Sequence, residues 1–262
     1  MLLDDLVILG RACPEPLKDG RVTVCLAGYS EKYGFIRLYP THPQMQMSRW
    51  DVVQVEVERN PQDTRHESWK IVGSRNDWDN LPDKITVTGN IGKRDERRNM
   101  LGNLIDDSSH VLNEQKRSLG IVKPDIQQTY FGDNALFGKW KQQGLPGFTD
   151  LDNYLTKRDY EVEPRVKYTS QAQPPTKHDQ QVLEWGFYEW FRKNPENREQ
   201  VWENAGIGKD GTDIYFLLGN LFRHRTSFMI ISVLRVPSGN VTKSMFPVKK
   251  VTLSDEYEEG ED

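Results

Sequence analysis

The chain has only two cysteines among 262 residues, Cys13 and Cys25. Each sits beside strand-like apolar residues, so buried free thiols of a cytosolic protein are expected rather than a disulfide. No apolar run approaches the ~18 residues that a membrane-spanning helix needs. The opening MLLDDLVILGRAC carries two acids where a signal peptide would carry positive charge, and reads as a first strand. The local signatures of chemistry are missing too: there is no Walker loop, GxGxxG, GxSxG, CxxC or HExxH. His42, His66 and His110 each stand alone, as surface or capping residues do. The expectation is therefore a cytoplasmic protein that is not an enzyme and needs no metal and no cofactor. A hydrolase or nuclease whose site is assembled from distant residues is the alternative that local motifs cannot see.

Charge is nearly balanced, with 35 Lys and Arg against 39 Asp and Glu. Six of those acids crowd into the last nine residues, SDEYEEGED, so the body without them is slightly basic. Such a tail is expected to be disordered and solvated. A functional reading is that it screens a basic surface until a partner arrives.

What is present is β-rich at both ends. DDLVILGRA, RVTVCLAGYS, YGFIRLYPT, WDVVQVEVER and SWKIVGS are five short runs rich in Val, Ile, Tyr and Trp, with Gly, Pro or Asn between most of them. VVQVEVER alternates apolar and polar, and SEKYG reads as a hairpin turn. Five strands in about ninety residues suggest a small antiparallel barrel or sandwich. From residue 92 the spacing of Met100, Leu101, Leu104 and Ile105 is helical, and DDSS at 106–109 offers caps for a second short helix. LGIVKP then reads as a strand ending at Pro124. Residues 132–163 read as loop and RVKYTS as strand. A helix is expected over 178–194, HDQQVLEWGFYEWFRKN, and another around NREQVWENAG, which Gly206 would end. TDIYFLLGN and TSFMIISVLRVP form a closing hairpin with LFRHR at its tip.

These pieces, namely YGFIRLYP, WDVVQVEVERNP, LNEQKRSLGIVKP, HDQQVLEWGFYEW and FLLGNLFRHRTSFMIISVLRVP, resemble the dual OB-fold domain proteins of bacteria over most of residues 6–237. The resemblance implies two OB-type barrels. Relatives carry cysteines just before the His of the third-quarter motif. The corresponding YTSQAQPPTKH has none, so if those cysteines bind zinc elsewhere, that site is absent from this chain. The expected fold is thus mainly β with α (α+β), two small OB-like antiparallel barrels joined by a short helical segment. Its parts are a barrel at 1–91, a connector at 92–118, an OB-like domain with inserted helices at 119–253 and the tail at 254–262.

An OB barrel commonly binds single-stranded nucleic acid with one sheet face and its rim loops. Three places have the residue types for it. Tyr29, Lys32, Tyr33, Arg37 and Tyr39 cluster on neighbouring strands of the first barrel. Arg37 and Tyr39 share a face opposite Ile36 and Leu38, which would make a stacking platform or simply cross-strand packing. Arg223, His224 and Arg225 at the hairpin tip, flanked by Phe222 and Phe228, alternate cations and rings; they could grip phosphates or only keep the tip soluble. Lys93, Arg94, Arg97 and Arg98 start a helix, diluted by Asp95 and Glu96. The 178–194 segment reads as packing rather than chemistry. On a helix its acids Asp179, Glu184 and Glu189 point in different directions, whereas Leu183, Phe187, Trp190 and Phe191 form one stripe, widened by Val182 and Trp185. Asp179 would cap it.

The expected function is a non-catalytic nucleic-acid-binding or accessory subunit of a larger bacterial complex, in DNA repair or anti-phage defence. The partners expected are single-stranded nucleic acid, a larger protein, or both, and no membrane. A protein–protein adaptor is the second reading, with Trp140 and Trp202 as candidate interface anchors.

Overall fold

The computed structural model of the chain describes residues 1–17, 19–74, 76–139 and 154–250; the acidic tail at 254–262 and Trp140 lie outside the described residues. In β5 (Asp51–Arg59) the alternation of the sequence becomes geometry. Val53, Val55 and Val57 are buried while Glu56 and Glu58 face water. The same core takes Leu3, Leu6 and Ile8 of β1 (Leu2–Arg11), Leu26 of β3 (Val22–Ser30), and Ile36 and Leu38 of β4 (Gly34–Thr41). Trp69 and Ile71 of β6 (Ser68–Ile71) complete it. These five strands close into a ring in the order β1-β3-β4-β6-β5, with β5 pairing back to β1. Every pairing in the ring is antiparallel except β4 with β6. A closed five-stranded ring of this kind is OB-like, and closure removes the free sheet edges. Two short strands hang on it: β2 (Glu15–Pro16) on β3 and β7 (Ile85–Asn90) on β5. The SEKYG turn joins β3 to β4, and Gly34 supplies the positive φ of 78° that the turn demands.

The helical middle is α1 (Arg94–Leu104) and α2 (Ser109–Glu114). Ser108 from the DDSS run caps α2, its hydroxyl accepting from the His110 N–H.

The C-terminal half holds β8 (Leu119–Val122), β9 (Asp125–Asp133), β10 (Val162–Thr169), β11 (Lys177–Gln181), α3 (Trp185–Lys193), α4 (Gln200–Asn204), β12 (Thr212–Asn220) and β13 (Phe228–Pro237). Its described pairings form two three-stranded antiparallel sheets, β9-β10-β11 and β8-β12-β13, rather than a second closed ring. The two sheets touch at a parallel bridge between Val182 and Ile230. Pro124, which has no N–H to donate, separates β8 from β9. Gly206 follows α4 at φ 87°, as a helix terminator should.

The 178–194 expectation is half corrected. Residues 177–181 are a strand, and the helix begins only at Trp185. Cross-strand partners explain the difference. Gln180 is buried and its Oε1 accepts from the Tyr168 hydroxyl at 2.8 Å, while Asp179 bonds Tyr130 and Arg165 instead of capping a helix. Within α3, Phe187, Tyr188 and Phe191 are buried, so packing is its role. The loop expected from 132 begins two residues late, because β9 occupies 125–133.

A third apolar core joins the two halves. Val7, Leu9, Ala27, Tyr29 and Phe35 come from the outward positions of β1, β3 and β4. They meet Leu101 and Leu104 of α1 and Tyr215, Leu217, Ile231 and Leu234 of β12 and β13. This explains the unbroken LVIL run in β1: Leu6 and Ile8 fill the barrel while Val7 and Leu9 fill the junction. Among the described residues no helix is long and apolar enough to cross a membrane.

Candidate nucleic-acid interface

Burial decides between the three candidate surfaces. On the first barrel, the parity expected for Arg37 holds, but the face it occupies is not solvent. Arg37 is 4% exposed and Tyr29 is 5% exposed. The guanidinium of Arg37 donates to the Ser118 carbonyl at 3.0 Å and to the Cys25 sulfur at 3.4 Å. Burial pushes it down from the ordinary arginine range. Tyr29 packs edge-on against Phe35, ring centroids 5.5 Å apart, inside the junction core. The expectation of an exposed stacking platform is therefore corrected: the C-terminal half covers it. Tyr39 is half-buried, and burial raises its hydroxyl to about 12. Tyr33 is half-buried against the barrel core. Lys32 is exposed at the turn and pairs with Asp4 at 2.8 Å.

The α1 cations are mostly engaged. Lys93 pairs with Glu96 at 3.0 Å and Arg98 with Asp95 at 2.9 Å. Arg98 also donates to the Asn240 carbonyl, and Arg97 donates to the Ile91 carbonyl while covering the Trp50 ring at 5.1 Å. Arg94 is exposed.

The hairpin tip is different. Residues 221–227 are exposed throughout, with Phe222 at 42%. Backbone bonds from His224 to Leu221 and from Ser227 to His224 hold the turn, and Asn220 Nδ2 donates to the Arg225 carbonyl at 2.8 Å. Among the described residues neither Arg223 nor Arg225 has a carboxylate partner, so both charges are available. Phe228, expected to flank the tip, is buried instead.

The tip does not stand alone. The loop between β5 and β6 of the first barrel leans on it. Arg65 Nη1 donates to the Asn220 carbonyl at 2.8 Å, and Arg225 Nη2 donates to Thr64 Oγ1 at 2.6 Å. The Phe222 ring lies 5.8 Å from the Arg65 guanidinium and 5.6 Å from that of Arg225. Asp63 neutralises Arg65 through a buried pair. Exposed Arg59, whose Nη1 donates to the His66 carbonyl, borders the same loop. The result is a composite rim of Arg59, His66, Phe222, Arg223, His224 and Arg225 built from both halves. Arg59 and Arg65 were not among the sequence candidates. Nothing local marks Arg65, because its partner Asn220 is 155 residues away in the chain.

The outward face of β9-β10-β11 is also open and polar, but its charges answer one another. Arg165 bonds Glu163 and Asp179, Tyr130 donates to Asp179, and the Lys167 ammonium sits 5.1 Å from the Tyr130 ring. A phosphate there would have to displace a carboxylate first. Trp202, offered as an interface anchor, is buried in the C-terminal core.

Among the described residues no three His, Cys, Asp or Glu side chains converge to hold a metal ion. A groove of about 670 Å³ beside β7 is lined by Gln44, Gln46, Pro82, Asp83, Ile85, Thr86 and Val87, with one carboxylate and one hydroxyl. Cys13 and Cys25 are free thiols.

A family model described as a domain of unknown function (DUF8758) matches residues 3–103, which span the N-terminal barrel and nearly all of α1. No curated protein and no solved structure matches the chain.

Proposed function

We propose that this chain is a non-catalytic binder of single-stranded nucleic acid, acting as an accessory subunit of a larger bacterial complex in the cytoplasm. DNA repair or anti-phage defence is the setting we propose for it. The observation that carries the reading is the rim: two exposed arginines with no carboxylate partner among the described residues, a histidine and an exposed ring on one turn, braced by the first barrel. Cations there contact phosphates and Phe222 offers its face to a base. The second half supports the reading as a second OB-type barrel. Taking β8 and β9 together as one first strand, its order reads β9-β10-β11, then across the Val182–Ile230 bridge to β13-β12-β8. That repeats the order of the first ring, including the parallel contact between third and fifth strands. In both halves the loop between the fourth and fifth strands carries the rim.

The test is binding of a labelled single-stranded oligonucleotide over a range of salt. Affinity should fall steeply with salt, and Arg223→Ala with Arg225→Ala should weaken it and reduce the log–log salt slope by roughly 1.4, two phosphates' worth. Salt-insensitive binding, or none at low salt, overturns the reading.

A protein adaptor has one observation in its favour. Met245 and Phe246 are 91% and 76% exposed on a segment tied to α1, where Asn99 accepts from the Thr242 N–H and Asn103 accepts from the Ser244 N–H and donates to the Thr242 carbonyl. Two adjacent large apolar side chains held out in water suit a protein contact.

A further inference from the structure

We infer that the outer edge of β7, with the groove that runs along it, receives an extended peptide strand from a partner protein, and that this strand carries a basic residue. The inference is independent of the rim, with which the groove shares no residue.

The register of β5 shows which backbone groups β7 leaves over. The Val57 N–H donates to the Met1 carbonyl at 2.8 Å, so Val53, Val55 and Val57 turn their backbone groups toward β1. The Glu56 carbonyl accepts from the Val72 N–H at 3.1 Å, and the Trp50 carbonyl from the Ile91 N–H at 2.9 Å. Trp50, Val52, Gln54 and Glu56 therefore face the other edge. Thr86 lies opposite Gln54 and bonds it. Ile85 and Val87 lie opposite Val55 and Val53, so their N–H and C=O groups point away from β5. Among the described residues no strand pairs with β7 on that side, and nothing else bonds these groups. Two donors and two acceptors thus stand in line on a strand edge, the pattern that strand addition uses.

The rest of the groove says which strand fits. Val87 is 45% exposed and offers an apolar contact to a side chain across the new pair. Gln44 and Gln46, exposed on either side of buried Met45, line the same groove, and among the described residues their side-chain amides have no partner. They supply donors and acceptors for the second edge of a docked strand. Asp83 lines the groove near Ile85 and has no cationic partner among the described residues. With one carboxylate and no cation in its lining, the groove repels phosphates and complements Lys or Arg. That charge selects a peptide over a nucleic acid strand.

The edge is also short. The register shift between Val52 and Val53 puts Thr88 out of phase, so the regular ladder runs only from Ile85 to Val87. A few residues of extended chain match it. A second copy of this chain would have to bring its own barrel into the groove behind its strand.

The experiment selects linear peptides from a random displayed library on the full chain, with Val87→Pro as the counter-screen. This substitution removes an outward N–H and no bond to β5, the place where edge strands tolerate proline. Selected peptides should carry Lys or Arg beside β-branched residues, and Val87→Pro should weaken them roughly tenfold or more. Asp83→Asn should weaken them about threefold and reduce their salt dependence. A second measurement leaves the protein untouched: the best peptide is synthesised with N-methyl groups on alternate residues. Methylation in one phase should abolish binding and in the other cost far less, because a strand bonds each neighbour through every second residue. Poly-dT at low salt should not displace the peptide. A library that yields no binder, peptides that bind parent and Val87→Pro alike, or methylation that acts equally in both phases each overturn the inference. Displacement by poly-dT overturns it and gives the groove to nucleic acid. Concentration-dependent dimers of the parent that Val87→Pro abolishes overturn it in favour of a second copy.

Discussion

Arg65 of the first barrel and Asn220 of the last hairpin share a hydrogen bond of 2.8 Å, guanidinium to backbone carbonyl, across the junction of the two halves. Its consequence is that the rim is one surface with two sources. Arg65 is held on its other side by Asp63, Nε to Oδ1 at 2.9 Å, and both side chains are only 7% exposed. Arg65→Ala therefore leaves a buried carboxylate unpaired as well as the tip unsupported. Loss of about 3–5 kcal/mol is expected from breaking such a pair, read as a lower denaturant midpoint. Oligonucleotide affinity should fall as well, although Arg65 has no free charge to offer, because Phe222 and Arg225 lose their brace.

Arg37 gives the opposite pattern. It is sealed between β4 and Ser118, whose N–H and hydroxyl both donate to Glu67 at 2.8 and 2.7 Å. Arg37→Met removes bonds to Ser118 and Cys25 and should destabilise by about 1–3 kcal/mol. Affinity for single strands should not change once folded protein is compared at equal concentration. A loss of binding matching that of the Arg223 and Arg225 variants would show that the barrel face opens in solution.

A second clamp lies at Glu184, at the start of α3. Its carboxylate accepts from Arg49, from Ser232 Oγ at 3.1 Å and from the Val233 N–H at 2.7 Å, while Arg49 Nη1 donates to the Val233 carbonyl at 2.9 Å. Glu184→Gln keeps the shape but exchanges a charge-assisted acceptor for an amide that presents a donor to one of these partners. A loss of about 2–4 kcal/mol is expected, in a single transition, since the clamp joins the halves. Two separated unfolding transitions in the variant would show instead that the halves fold as independent units.

These residues also mark what the sequence could and could not tell. The strands of the first barrel were legible because one face alternates: Val53, Val55 and Val57 in, Glu56 and Glu58 out. The cap at Ser108, the turn at Gly34 and the stop at Gly206 follow from local chemistry that needs no partner. What stayed hidden is long-range. Arg37 and Tyr29 have the composition of a binding platform, and only the C-terminal half arriving over them turns them into core. HDQQ reads as a helix start because its strand partners in β10 are ten or more residues away and out of phase with any local signal. The tip keeps both arginines exposed and without a carboxylate partner among the described residues, and its supporting loop at 60–67 could not be paired with it from spacing alone.

His178 offers a pH-dependent test of the same C-terminal half. Its ring stacks on Tyr168 with centroids 4.8 Å apart and lies 6.2 Å from the ring of His110. Burial, and then the neighbouring His110, push its pKa below the ordinary value of 6.5. The folded protein thus binds this proton less readily than the unfolded chain does. The stability the neutral ring contributes is fully present above about pH 6.5 and is lost as the pH falls from there through the lowered folded value. Unfolding free energy should decline between about pH 7 and pH 5, before most carboxylates titrate. His178→Phe preserves a ring against Tyr168 but has no proton to bind, so its profile should be flatter across that window. His110→Ala removes the repelling neighbour and should move the decline of the parent to lower stability loss without abolishing it, since burial is the larger cause. Urea midpoints at half-unit pH intervals for the three proteins check this. A parent profile as flat as that of His178→Phe would mean that the imidazole is as easily protonated in the fold as in the open chain, and the stacked, solvent-poor position of His178 would then be wrong.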